Sequence, residues 1–182
     1  MAETETDSGA ATVAADEGLL LTRTFDAPAR LVFRAWTEPD HFARWFGPAG
    51  STVPVCRIDP RPGGVIHFCM RAPEEAVRSG CLARREVWTK GVFREVREPS
   101  LLAFTFHFSD LDGRFVAPAR YGLPPDHPTE TRVTVTLAER GGRTTLTLRQ
   151  DLPRSVQELG AREGWVQGLD RLAEHLASVL EG

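Results

Sequence analysis

The strongest constraint on the fold of this chain is an apolar stripe near its C-terminus. The residues that recur there at steps of four and three are Trp165, Leu169, Leu172, Leu176 and Val179. This spacing places them on one face of an α-helix. We predict a helix from Leu159 to Leu180, about 33 Å long at 1.5 Å per residue. Such a stripe needs an apolar cover, which the rest of the chain has to supply.

Two glycines interrupt this predicted helix beside its tryptophan. Gly164 and Gly168 lie about one turn apart, and each costs about 1 kcal/mol of helix propensity relative to alanine. The close approach of a sheet or of a ligand would offset that cost. The alternative is a helix that only packs a core, and periodicity does not separate the two interpretations.

Composition places the chain among ordinary globular proteins. It has 182 residues, of which 41% are hydrophobic and 26% charged, enough to bury a core in one domain. Residues 1–17 are small, acidic and polar, so we predict a disordered tail followed by a single domain over 18–182. The net charge of −3 gives no footprint for nucleic acid or for a membrane surface.

Simple motifs exclude several classes of protein. No apolar run is long enough to cross a bilayer, so we expect no membrane insertion. The three cysteines form no CxxC pair, which argues against a disulfide framework and favours a cytoplasmic protein. The five histidines show no metal-ligand spacing, and there is no Walker loop, dinucleotide motif or GxSxG motif. We therefore predict no catalytic residues, no metal and no cofactor.

The pattern before the C-terminal helix is mostly that of an antiparallel sheet. A first strand, Leu19 to Phe25, is followed by Asp26 as the predicted N-cap of the first of two short helices. A period-two pattern then continues through the predicted strands 52–58, 65–70, 86–96 and 101–108 and the hairpin 131–150. Sheet beside segregated helices is typical of α+β proteins. Two loops remain, 71–84 and 109–130.

Five segments resemble a known family. They read FDAPARLVFRAWTEPDHFARWFGP, IDPRPGGVIHFCM, KGVFREVREPSLLAFTF, TRVTVTLAERGGRTTLTLRQ and GWVQGLDRLAEHL, and all five lie within residues 19–180. The chain resembles the START-like superfamily, also called SRPBCC or birch-pollen-allergen-like. It is most similar to the branch related to the C-terminal domain of the heat-shock protein 90 ATPase activator. The resemblance implies an α+β helix-grip fold, in which a curved antiparallel sheet of about six strands wraps around the long C-terminal helix.

The leading functional hypothesis is a binding module without turnover. It would hold a small hydrophobic molecule in a cavity between the sheet and the helix. The residues predicted to line this cavity are Trp36, Trp45, Phe46, Ile66, Phe68, Met70, Phe93, Phe106, Trp165 and Leu169. Simple core packing is the alternative for these aromatic side chains. We also predict that Trp165 packs near Phe104 and Phe106, and that the loop 109–130 is a lid over the cavity. The alternative for this loop is a stiff surface connection that does not control entry.

Two other classes of function stay open. An enzyme of the same superfamily, such as a cyclase or a hydrolase, could use Glu95, which alternation places with Gly91 and Phe93 on the inner side of its strand. The competing interpretation of Glu95 is a surface carboxylate paired with an arginine. Cys69 is interpreted as an inert core thiol. The family resemblance also raises a chaperone-ATPase partner or a homodimer.

Overall fold

Seven antiparallel strands form one curled sheet in the computed structural model, which describes residues 18–79 and 84–182. The strands are β1 (Leu19–Phe25), β2 (Thr52–Ile58), β3 (Val65–Arg71), β4 (Glu86–Arg97), β5 (Leu101–Ser109), β6 (Thr131–Arg140) and β7 (Arg143–Gln150). Their order across the sheet is β1-β7-β6-β5-β4-β3-β2. The predicted α+β helix-grip architecture is confirmed, with seven strands instead of about six. The tail 1–17 and Cys81 lie outside the described residues.

The helices cover one side of this sheet. They are α1 (Ala29–Thr37), α2 (Pro39–Trp45), α3 (Glu74–Arg78), α4 (Arg154–Val156) and α5 (Arg162–Glu181), with a 3₁₀ turn at Pro118–Tyr121 and a π-type turn at Gln157–Ala161. The predicted irregular loop 71–84 therefore contains a short helix, α3. No helix of the described residues is both long and apolar enough to cross a membrane.

The long C-terminal helix buries the predicted stripe. Leu169, Leu172 and Leu176 are each at most 3% exposed, whereas Trp165 and Val179 are partly buried at the two ends of the stripe. Helix α5 packs against α1, α2 and β1. It begins at Arg162, three residues later than predicted, because Gly160 has a φ of 111° that no helix can contain.

The start of α1 differs from the sequence prediction. Its N-cap is Pro28, which has no side-chain hydrogen bond to offer, and not Asp26. A carboxylate from a distant strand replaces the missing cap, since Glu139 of β6 accepts a hydrogen bond of 2.7 Å from the backbone nitrogen of Ala29. Asp26 instead accepts a 2.6 Å hydrogen bond from Arg143.

A bulge in β4 decides where Glu95 points. Phe93 pairs with Phe104 and Glu95 pairs with Ala103, so one extra residue lies on β4 between the two pairs. An extra residue reverses the alternation of inward and outward side chains. Glu95 is consequently exposed and forms a 2.9 Å ion pair with Arg97. The inward-facing carboxylate considered for an enzyme is therefore wrong, and the surface ion pair is correct.

Gly91 shows why β4 and β5 can approach so closely beside this bulge. A Cβ atom at Gly91 would overlap the carbonyl oxygen of Thr105. The position is buried, and only glycine leaves room for the neighbouring backbone there. The close approach of β4 and β5 places Phe93 beside Phe104, with ring centroids 5.5 Å apart.

Candidate ligand cavity

A cavity of about 270 Å³, partly open to solvent, lies between the first turns of α5 and the inner face of the sheet. Its volume is close to the lower end of the range usual for small-molecule sites. The aromatic and other apolar side chains that border it are Phe46, Pro48, Phe68, Met70, Val87, Phe106, Phe108, Pro128, Leu152, Val156, Ala161 and Trp165. No Asp, Glu, Lys or Arg borders it within the part of the chain that the structure describes. The cavity therefore suits an uncharged, mostly apolar guest.

Edge-to-face rings build the cavity wall. Phe46 lies with its ring centroid 4.8 Å from that of Phe68 and 5.7 Å from that of Trp165. The planes of Phe46 and Trp165 are inclined by 89°, and those of Phe46 and Phe106 by 83°. Such inclined pairs are a favourable arrangement of aromatic quadrupoles. The wall is thus held by mutual ring contacts, even though a void lies beside it.

The first turns of α5 provide the opposite wall. Both helix glycines, Gly164 and Gly168, border the cavity. A Cβ atom at Gly164 would meet only the Pro48 ring, at 3.7 Å, and one at Gly168 would make ordinary contacts with Gly47 and Trp45. The glycines thus leave space where the other α5 positions of the stripe carry bulky side chains.

A short chain of hydrogen bonds runs along one side of the cavity. The indole nitrogen of Trp165 donates to Gln150 Oε1 over 2.7 Å, and Gln150 Nε2 donates to Thr131 Oγ1 over 3.0 Å. All three residues border the cavity. Thr89, also on the border, makes no side-chain hydrogen bond to the described residues. The cavity therefore combines an apolar wall with a small polar side, as ligand sites commonly do.

The ten residues predicted to line a site divide into two groups. Phe46, Phe68, Met70, Phe106 and Trp165 border the cavity. The other five are core residues, each at most 3% exposed, and do not border it: Trp36, Trp45, Ile66, Phe93 and Leu169. For these five, core packing is what the structure shows. A role in ligand binding for any of the ten stays a prediction.

The contacts of Trp165 are less direct than the sequence predicts. Its ring stacks on Trp36 at 5.9 Å and meets Phe46 edge-on at 5.7 Å. Trp36 in turn lies 6.3 Å from Phe104, and Phe46 lies 6.3 Å from Phe106. The tryptophan thus reaches Phe104 and Phe106 through an intervening ring in each case, whereas its indole nitrogen contacts β7 directly at Gln150.

Sequence reasoning missed the polar side and the rim. Thr131 and Gln150 occupy inward positions of β6 and β7, as the burial of alternate residues on both strands shows. That alternation could have found them, since both are polar residues at positions that read as core. Leu152, Val156 and Ala161 at the rim follow the last strand. The segment that carries them contains the kink at Gly160, which no periodicity indicates.

Arg171 fixes the loop that carries Phe46, Gly47 and Pro48. Its guanidinium donates to five backbone carbonyl oxygens, those of Arg44, Phe46, Gly47, Pro48 and Ser51, at 3.0 to 3.4 Å. Burial lowers the pKa of Arg171, and Glu174 opposes that shift. A rigid, five-donor fork suits this task better than any other side chain.

The long loop 109–130 has two halves, residues 109–121 and residues 122–130, which make different contacts. Its first half is tied to the sheet by Tyr121, which is 6% exposed, donates to the carbonyl of Ser109 over 3.2 Å and accepts from the Trp88 nitrogen over 3.4 Å. Its second half contributes His127, Pro128 and Thr129 to the cavity border. A hydrogen bond of 3.4 Å, from Ser155 to Asp126, joins this half to α4.

Two histidines, His107 and His127, also border the cavity. His67, Lys90 and His107 form a row across neighbouring strands, and the pKa of His107 is lowered, chiefly by burial. Burial raises the pKa of Cys69 to about 11 and that of Cys56 to about 12. Both thiols are consequently protonated and unreactive at neutral pH. Within 18–79 and 84–182 no cluster of three or more His, Cys, Asp or Glu could hold a metal ion.

Fold and cavity together define a class, the helix-grip domains with an internal cavity beneath a long C-terminal helix. The chain belongs to the family described as "Activator of Hsp90 ATPase homolog 1-like protein", whose sequence model matches residues 26–177. No curated protein matches the chain significantly.

Solved structures support the same fold. A Nitrosomonas europaea protein aligns with a TM-score of 0.69 at 24% identity, covering 93% of this chain and 100% of its own. A Silicibacter pomeroyi protein of the same family aligns with a TM-score of 0.67 at 25% identity, over 91% of this chain and 99% of its own. A Chromobacterium violaceum protein gives 0.67 at 25% identity, over 88% and 96%.

Proposed function

We propose that this protein is a binding module that holds a small, uncharged, mostly apolar molecule in the cavity beneath α5, without turning it over. The observation that carries the proposal is the cavity of about 270 Å³ with an aromatic wall and no Asp, Glu, Lys or Arg on its described border. Removing the apolar surface of a guest from water supplies about 25 cal/mol per Å². The short polar side supplies orientation.

A filled cavity is the direct test. Gly164→Leu places a side chain where a Cβ atom meets only Pro48, so the leucine occupies the space of the guest. We expect prodan, an uncharged naphthalene dye whose emission shifts with solvent polarity, to bind the native protein and to lose at least tenfold in affinity in this variant. The substitution also restores about 1 kcal/mol of helix propensity, so lost binding is not lost folding.

The matched control is Ala177→Leu, which adds the same side chain to an exposed position of α5. It should leave the affinity for prodan unchanged. Dye binding that survives Gly164→Leu, or that is equally weakened by Ala177→Leu, contradicts the cavity as the binding site. A native protein that binds no apolar probe at all contradicts the proposed function itself.

The second half of the long loop is proposed as the lid over this cavity. Three of its residues border the cavity, and the Ser155–Asp126 hydrogen bond ties it to α4. Ser155→Ala should raise the on- and off-rates of prodan together by about two- to threefold, with little change in Kd. Stopped-flow fluorescence measures both rates. Ser178→Ala, which removes an exposed hydroxyl of α5, is the control. Equal rates in the native protein and in both variants would contradict a role of the loop as a lid.

Contact with a chaperone ATPase is the second candidate function. The family description names such an activator, and the loop after β5 exposes Leu111 by 67% and Phe115 by 54%. Exposed apolar pairs of this kind can serve as contact surfaces. A stimulation of heat-shock protein 90 ATPase activity that Leu111→Ser abolishes would support this candidate. The free thiols of Cys56 and Cys69 fit the cytoplasmic location that either function implies.

A further inference from the structure

The hydrogen-bond chain on the polar side of the cavity has a direction. An indole nitrogen can only donate. The group of Gln150 that lies 2.7 Å from Trp165 Nε1 must therefore be its carbonyl oxygen. This requirement fixes the orientation of the Gln150 amide, which the positions of the heavy atoms alone would leave open. The amide nitrogen necessarily faces the other way.

Thr131 is the last member of the chain. Its hydroxyl oxygen accepts from Gln150 Nε2 over 3.0 Å, so its own proton must be donated elsewhere. No acceptor for that proton lies within the described residues, although Thr131 is only 7% exposed and borders the cavity. A buried donor without an acceptor is costly and rare in folded proteins. The cavity is the free space that Thr131 adjoins, and a guest there can supply the acceptor.

We propose that the guest is an uncharged aromatic carbonyl compound, such as an aryl ketone, whose carbonyl oxygen accepts the hydrogen bond of Thr131. This inference rests on the binding function proposed above. The rings of Phe46, Phe106 and Trp165 provide faces and edges for an aromatic body. A carbonyl accepts a hydrogen bond without adding a donor, whereas a hydroxyl group would bring a second proton that needs its own partner.

Two probes of nearly the same shape test the inference in the native protein. Acetylnaphthalene carries a carbonyl oxygen, and isopropenylnaphthalene, substituted at the same ring position, carries a methylene group in its place. Competition with prodan measures both affinities. We expect the ketone to bind about three- to tenfold more tightly, the value of one net hydrogen bond. Equal affinities would overturn the carbonyl inference and leave the binding function standing, and no binding of either probe would overturn both.

Substitutions at Thr131 locate the preference. Thr131→Val removes the donor at nearly constant volume and should abolish the preference for the ketone, while Thr131→Ser should keep it. Thr136→Val, an exposed position on the same strand, should leave the preference as in the native protein. A preference that persists in Thr131→Val contradicts the assignment of the donor.

Trp165→Phe tests the direction of the hydrogen-bond chain while leaving Thr131 unchanged. With the indole donor gone, the amide of Gln150 is free to turn its oxygen toward Thr131 and accept that proton. The ketone preference should then fall toward that of Thr131→Val, although Thr131 is still present. Because Trp165→Phe also alters the cavity wall, the readout is the ratio of the two affinities, which a change of shape alone moves equally for both probes. An unchanged ratio contradicts a directed chain.

Discussion

The two ends of the α5 interface are packed in opposite ways. Toward the C-terminal end, Leu172 and Leu176 are at most 2% exposed and belong to the buried core. Toward the N-terminal end, Gly164 and Gly168 face a cavity, and Trp165 is only partly buried. The difference lies in side-chain volume along one helix. Small residues placed in a stripe of large ones determine where the interior is hollow.

The largest expected effect contrasts two tryptophans. Trp45→Ala empties a fully packed site whose indole donates to the carbonyl of Ala35 over 2.8 Å, so it should cost about 3–5 kcal/mol of unfolding free energy. Trp165→Ala only enlarges an existing cavity and should cost about 1–3 kcal/mol. Urea denaturation of both variants gives the two values. Equal losses would mean that Trp165 is packed as tightly as Trp45.

The next effect concerns the arginine that fixes the cavity wall. Arg171→Met keeps much of the apolar length but loses all five hydrogen bonds to the 44–51 carbonyls. We expect a loss of about 2–3 kcal/mol together with weaker prodan binding, because the loop carrying Phe46 is no longer held. Arg162→Met, at an exposed position of α5, is the control. A stable variant with native dye affinity would show that the wall holds itself.

The smallest effect is a pH dependence at the filled end. His41 Nδ1 and His175 Nε2 lie 2.9 Å apart between α2 and α5, with Glu38 3.5 Å from the other nitrogen of His41. The pKa of His175 is lowered by burial first, then by His41 and Arg44. Below about pH 6.5 the unfolded chain therefore binds more protons than the folded one, and stability should fall as the pH falls.

His175→Gln keeps a polar group at this position and removes the titration. The denaturation midpoint of the variant should fall less steeply than that of the native protein between pH 7 and pH 5. A residual slope is expected, because the pKa of His107 is also lowered by burial. Identical slopes in the two proteins would show that His175 does not contribute to the pH dependence of stability.

The fold was predictable because its signals are local and repeated. The alternation in β5 to β7 and the stripe on α5 each extend over several residues, so single exceptions do not hide them. The start of α5 and the orientation of Glu95 were not predictable. The first depends on one positive φ at Gly160, and the second on one extra residue in β4. A single residue is enough to move a helix start or to reverse the facing of a strand.

The site was predictable to a smaller extent. The glycines of α5 indicated where the helix leaves space, and both of them border the cavity. Aromatic density did not separate wall from core, since Trp36 and Trp45 lie in the same cluster as Phe46 and Phe68. Which ring borders a void is set by three-dimensional packing between α1, α2 and the sheet. The sequence pattern of a single element does not indicate it.

The carboxylate that caps α1 has a consequence for the order of folding. Glu139 is separated from Ala29 by 110 positions along the chain, so the first turn of α1 gains its cap only after β6 and β7 have docked beside it. Short helices are marginal on their own, and this one lacks a local cap. We therefore expect helix α1 to be completed late, after the C-terminal hairpin of β6 and β7 has formed. Folding would then not proceed in order from the first element of the chain.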